Sequence, residues 1–255
     1  MKINYKKERQ LNLQIAYDDK SNDAFLKQLK EYNDLETLIE KGNGDFQNIL
    51  RVISWVSSRW EDDASILKKG GKTSKIFRKA IGTNNPRGIE YSYILKACLR
   101  SLGYTIRTIF LESKDRKDLK KGEKHIFFEI YLSDQEKWFL IDPQFDIIIK
   151  KNGVPLNAVE FQQVLLNEEE LEIDNSSDLI DSIDYLEWIG PYLFYFTTSL
   201  NNGRISLCDR ISGNKKRLIL VPINENPPRY FKNLMKMRIS LVTHSITDFY
   251  PQLNN

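Results

Sequence analysis

The stretch from Asn85 to Gly103 constrains this chain more than any other. Asn85 offers a capping side chain, Pro86 suits a first helical turn, and Gly103 suits the left-handed position just past a last one. Between them Ile89, Tyr91, Ile94, Leu95, Cys98, Leu99 and Leu102 spread apolar groups over most of a helical circumference. Such a helix must be covered on most sides, which makes it central and buried. Arg100 near its end suits the helix dipole.

The flanking segments supply the cover. Upstream, Phe25, Leu29, Leu35, Leu38 and Ile39 recur at roughly helical spacing, with breaks expected near Asn33 and at residues 42–44. Asp45 is expected to N-cap a second run, in which Phe46, Ile49, Leu50, Ile53, Val56 and Trp60 recur every three or four residues. Residues 61–84 are polar and basic and read as a long connection with a short helix at 74–80. Their lysines read as a solvated face, with a partner-binding patch as the alternative. Downstream the pattern turns to strands: 105–111, then 125–132 and 137–141 as a hairpin joined by residues 133–136. Residues 159–167 read as a helix and 168–181 as an acidic exposed loop. From Tyr192 onward aromatic and β-branched residues predominate, with a turn at 201–203, strands at 218–223 and 239–244, and a loop at Pro227-Pro228. Helices first and strands after predict an α+β fold, a central buried helix packed on an antiparallel sheet.

With 255 residues, 41% of them hydrophobic, the chain can build a sizeable core. Its organisation reads as one domain over 1–255: a core at 45–150, an N-terminal helical extension (1–44) and a C-terminal β-rich extension (190–255). The net charge of +3 is too weak to argue for nucleic acid, and no basic stripe interleaves with aromatic residues. The basic N-terminus lacks the apolar run of a secretory signal, and no 18 consecutive apolar residues occur, so no membrane span is expected. Two cysteines, Cys98 and Cys208, exclude a disulfide scaffold and point to a reducing, cytoplasmic setting. With His125 and His244 they form no zinc spacing, and no Walker or dinucleotide motif appears, so neither metal nor cofactor is expected.

The chemistry-bearing residues lie on the hairpin. If residues 133–136 form its loop, Leu132 faces Lys137 and Phe127 faces Asp142. His125 shares a face with Phe127, so His125 and Asp142 become diagonal neighbours, roughly 5–8 Å apart at the backbone. A carboxylate there fixes the imidazole tautomer and leaves the other nitrogen as a base. The competing reading is a structural His–Asp pair at a strand edge. The start of the buried helix aims free N–H groups and a positive dipole end at its first turn, where a cysteine would have a lowered pKa.

In this setting residues 45–150 resemble the transglutaminase-like branch of the papain-type thiol enzymes. The motif residues are Tyr91, Ser92, Leu99, Arg100, Gly103 and Arg107, then His125, Glu129, Trp138 and Asp142, in order and at fitting spacing. The resemblance implies a papain/transglutaminase-like core, a catalytic Cys-His-Asp set and peptide- or amide-like ligands. The departure is at the nucleophile: the family cysteine maps onto Gly88, and a shift of one gives Arg87 or Ile89. Cys98 lies ten residues along, about 15 Å up the helix, on its apolar face, and reads as a buried structural thiol. Ser92 lies one turn on but needs a base within reach. Cys208 reads as core.

Losing the nucleophile of such a unit costs on the order of 10⁶ in turnover. The leading expectation is therefore a transglutaminase-like domain silent in thiol chemistry, acting as a binding or scaffold module for a peptide or protein ligand. Three alternatives stand beside it. His125–Asp142 could activate water or another nucleophile; residue 88 could be a substitution in an active thiol hydrolase or transferase; or the fold could be a platform for contacts made by residues 192–250.

Overall fold

The computed structural model describes residues 3–12, 15, 17, 23–62, 89–114, 125–175, 180–200, 214–228 and 239–253. Helix α1 (Ala24–Tyr32) starts at Asp23, whose side chain accepts from the Phe25 amide, and stops at Asn33 as the sequence predicts. A 3-10 turn (Leu35–Leu38) follows. Helix α2 (Gly44–Asp62) begins after a break in which Gly42 and Gly44 take φ of 92° and 76°. Asp45 is not its N-cap. It lies inside the first turn and accepts from the Ser133 amide (2.7 Å), while its own amide donates to Asp134 (2.9 Å). The local spacing is equally good for a cap; the amides that claim this side chain lie 88 and 89 residues away, beyond the reach of any local pattern.

Helix α3 (Ile89–Ser101) is the central helix. Gly103 has φ 90°. The Tyr104 amide donates to Leu99 O (3.1 Å) and the Gly103 amide to Arg100 O (3.1 Å), so the last turn ends in a Schellman motif. Asn85, Pro86, the helix expected at 74–80 and the turn expected at 201–203 lie outside the described residues.

Strands β1 (Ile106–Glu112), β2 (His125–Leu132) and β3 (Lys137–Ile141) run antiparallel with Leu132 opposite Lys137 and Phe128 opposite Ile141, the register expected from the turn length. Strands β4 (Ile147–Lys151) and β5 (Val154–Pro155) form a second small sheet. Its third strand, β6 (Glu172–Asn175), corrects the expectation of an exposed loop over 168–181. β4 offers an open edge, Ile149 pairs with Ile173 across it, and the ion pairs Lys150–Asp174 and Lys151–Glu169 attach the acidic segment. The main sheet continues through β7 (Tyr195–Ser199), β8 (Arg217–Leu220) and β9 (Ser240–Thr243), in the order β3-β2-β1-β7-β8-β9. Among the described strands all its pairs are antiparallel, as expected, apart from β8 with β9, which is parallel.

The sheet is covered on both faces, which is why β2 reads as a nearly unbroken apolar run. On one face α1, α2 and α3 bury Leu26, Ile49, Val56, Ile94, Leu95 and Leu99 against Ile106, Phe128, Ile130, Phe139 and Ile141. On the other, α4 (Ala158–Leu166) and α5 (Ser182–Ile189) bury Phe161, Tyr185 and Ile189 against Ile109, Leu111, Phe127 and Leu140. α4 carries a full capping box from Asn157 and Glu160, worth about 1 kcal/mol. α5 has no counterpart in the sequence expectation. Its signals are present but short: Asp181 caps it, Gly190 ends it, and one apolar flank holds Tyr185 and Ile189. The segment 3–12 runs along the C-terminal part, with Asn4 and Lys6 bonded to Ile223 and to His244 and Ile246 beside α6 (Ile246–Phe249). The result is the α+β architecture expected, with a central helix on a mostly antiparallel sheet.

Candidate functional site

Register brings His125 and Asp142 together. His125 opens β2, paired with Leu111 of β1, and Asp142 follows β3 directly. His125 Nε2 lies 2.7 Å from Asp142 Oδ2. Asp142 has no solvent exposure and His125 only 6%. The rest of the carboxylate is spoken for: Oδ1 accepts from the Gln144 amide (2.9 Å), and Oδ2 also accepts from the Tyr185 hydroxyl (3.1 Å). The carboxylate thus has three polar partners, and it fixes the imidazole by its Nε2. Nδ1 has no hydrogen-bond partner among the described residues.

Aromatic rings form the wall round this pair. Trp188 meets the imidazole edge-to-face at 4.8 Å, Phe127 does so at 5.3 Å, and Tyr192 lies at 6.4 Å. Trp188 also packs on Phe145 and Tyr185 and keeps 36% of its surface exposed, so it is an outer wall as well as a packing residue. Burial pushes the Tyr185 phenol well above its usual range, helped by the charge of Asp142 and the hydrogen bond to it, so Tyr185 remains a donor.

The start of α3 lies at this end of the sheet. α3 runs back along β1, with Lys96 reaching Thr108 midway, so its first residues come level with the end of β1 beside His125. Tyr91, in the first described turn, donates to Asp146 (2.7 Å to Oδ1, 2.9 Å to Oδ2), and Ser57 of α2 donates to the same carboxylate (3.0 Å). Asp146 is buried, sits four residues past Asp142 and takes φ 50°, so one strained residue pins two helices to the turn after the pair. Gly88 and Arg87 lie outside the described residues. Ser92 is half-buried in the first described turns of α3. Cys98 has no exposure, and burial pushes its thiol up to about 12, so it is a structural core thiol. Cys208 lies outside the described residues.

The other motif residues converge on a second cluster. Glu129 Oε2 accepts from Arg107 Nε (2.9 Å) and Nη2 (2.7 Å), and Oε1 accepts from the Ala158 amide (2.9 Å) and the Tyr250 hydroxyl (2.7 Å). Arg107 Nη1 donates to Phe249 O (2.6 Å), and the guanidinium lies over the rings of Trp138, Phe249 and Tyr250 at 4.4–4.9 Å. Burial is the strongest single influence on Arg107 and lowers its pKa; the Glu129 charge, the Tyr17 and Tyr250 hydroxyls and the Glu129 hydrogen bond together more than offset it, so the guanidinium stays charged. Arg107, Glu129 and Trp138 therefore join the sheet to α4 and to the C-terminal segment.

Residues 33–143 match the family model of the transglutaminase-like superfamily. The chain carries a transglutaminase-like domain. The match starts upstream of the resemblance read at 45–150 and ends one residue past Asp142, so it holds both members of the pair. No curated protein and no solved structure matches the chain. Tyr185, Trp188 and Tyr250 lie outside the matched segment. Sequence reading missed Tyr185 and Trp188 because it missed α5; the Asp181 cap was the signal that could have found them. Among the described residues no group of three or more His, Cys, Asp or Glu could hold a metal ion, and no helix is long and apolar enough to cross a membrane.

Proposed function

We propose that this transglutaminase-like domain keeps the proton-handling half of a thiol-enzyme site and lacks the nucleophile, so that it binds a peptide or protein ligand without forming a thioester. The observation that carries this reading is the His125 Nε2–Asp142 Oδ2 contact of 2.7 Å, set against a glycine at the position the family pattern gives to the thiol. In this reading Nδ1 is the atom that would take a thiol proton, which glycine at residue 88 cannot supply. Cys98 is no substitute, because its thiol is sealed in the core and protonated at physiological pH. The whole chain acts as one domain in this reading, supported by the sheet that runs without a break from β3 to β9.

A second reading draws on the completeness of the same pair. A buried, fully bonded carboxylate behind a histidine is what activation of water requires, so an amidase using water, or a parent enzyme with another residue at 88, is the rival.

Gly88→Cys tests the first reading. Alkylation of the new thiol is titrated against pH, with wild type as the blank for Cys98 and Cys208. A thiolate present well below pH 8.5, and lost in Gly88→Cys/His125→Ala, is the expected result. A thiol of ordinary pKa, or one closed to reagent, overturns the assignment of residue 88. Amidase or transamidase activity in the wild type, abolished by His125→Ala, overturns the silent reading in favour of the rival.

A further inference from the structure

The groups that hold His125 come from two parts of the chain. His125 and Asp142 lie within the family match at 33–143, and Tyr185 lies on α5, 43 residues past Asp142. The imidazole and the Tyr185 hydroxyl share one oxygen, Asp142 Oδ2, at 2.7 and 3.1 Å. The other oxygen is held by the Gln144 amide. With Oδ1 tied to backbone and Oδ2 bridged to α5, the carboxylate plane cannot turn away from the imidazole without breaking a buried bond. Tyr185 is itself fully buried, on a helix capped by Asp181 and anchored by Ile189, so core packing sets where its hydroxyl stands.

Sharing has an electrostatic consequence. A second donor on the same oxygen draws away charge that Asp142 would otherwise lend to a protonated imidazole. We propose that Tyr185 is a positioning residue of this site, which fixes Asp142 in the orientation His125 requires and moderates how strongly that carboxylate favours the imidazolium. Helix α5, beyond the family-matched segment, is then part of the site and not only of the core. The inference rests on reading His125–Asp142 as the proton-handling pair. Among the described residues, the titratable groups on elements packed near His125 are Asp142 after β3, Tyr185 with the exposed Asp184 and Glu187 on α5, Tyr192 in the turn that follows, and Glu112 next to Leu111 on β1. Of these, Asp142 hydrogen-bonds the imidazole and Tyr185 acts through it.

The protein has only two histidines, so both can be followed by proton NMR across a pH titration, with His125→Gln used for assignment. Tyr185→Phe keeps the ring and removes the hydroxyl. The expected result is a His125 pKa raised by roughly half a unit or more, with His244 unmoved as internal control. In an Asp142→Asn background, Tyr185→Phe should add no further shift. If the phenylalanine variant fails to fold, Tyr185→Met removes the hydroxyl with a more adaptable side chain and reads the same shift. Three results overturn the proposal: an unchanged His125 titration in a folded variant, equal shifts in both histidines, or a Tyr185→Phe shift that persists in the Asp142→Asn background. The titration needs neither turnover nor thiol, so it reports on Tyr185 even where wild-type activity overturns the silent reading.

Discussion

Two pairs of charged side chains share one face of β2: Glu129 with Arg107, and His125 with Asp142. Both are buried, and both carboxylates carry several donors. They differ in what is left over. Glu129 and Arg107 are closed in by the Ala158 amide, the Tyr250 hydroxyl, the Phe249 carbonyl and three aromatic rings. At the His125 pair the carboxylate is equally closed, but one imidazole nitrogen has no described partner, and the outer wall is a half-exposed Trp188. Of two motif-bearing clusters on one strand, the closed one holds the C-terminal segment to the sheet. In the open one, an imidazole nitrogen has no hydrogen-bond partner among the described residues. Burial and charge alone do not separate structural pairs from functional ones; an unspent donor or acceptor does.

The contrast breaks most readily in stability measurements. Arg107→Met leaves Glu129 as an uncompensated buried charge and should cost about 3–5 kcal/mol in urea unfolding. A loss below about 1 kcal/mol would mean that the cluster is not the joint between sheet and C-terminal segment. His125→Gln should cost much less, about 1 kcal/mol, because Asp142 keeps the Gln144 amide and the Tyr185 hydroxyl. An equal loss at both sites would erase the distinction between them.

Lys96 sharpens the comparison from the other side, as a largely covered cation whose described polar partner is Thr108 Oγ1 rather than a carboxylate. Burial, and then the neighbouring Arg100, lower its pKa to about 8. The unfolded chain therefore binds more protons than the folded one between about pH 8 and the ordinary lysine value, and the penalty on the fold is relieved as pH rises through that window. Lys96→Met should be more stable than wild type at pH 7 by less than about 1 kcal/mol, given the partial exposure, and the gap should close toward pH 10.5. A gap that widens with pH would show the sign to be wrong.

Local pattern made much of this molecule legible. The four-residue turn at 133–136 and the alternation of β2 and β3 are enough to place His125 diagonal to Asp142, and the contact is there. Gly103 announces its left-handed turn because few other residues adopt that backbone cheaply. The expectations that failed depend on distant partners. Asp45 looks like a cap until the Ser133 amide takes its side chain. Residues 172–175 look like solvated loop until β4 presents an edge to them.

The amino-acid sequence by itself determined the central helix, the hairpin register, the pairing of His125 with Asp142, and the absence of cysteine from residue 88, because each follows from spacing within one or two neighbouring elements. Only the tertiary structure decided that Arg107, Glu129 and Trp138 form a closed joint, while one His125 nitrogen has no hydrogen-bond partner among the described residues. It also brought Tyr185 onto Asp142. Those outcomes depend on α4, α5 and the C-terminal segment arriving at β2 from far along the chain, and long-range packing of that kind leaves no periodic mark in sequence.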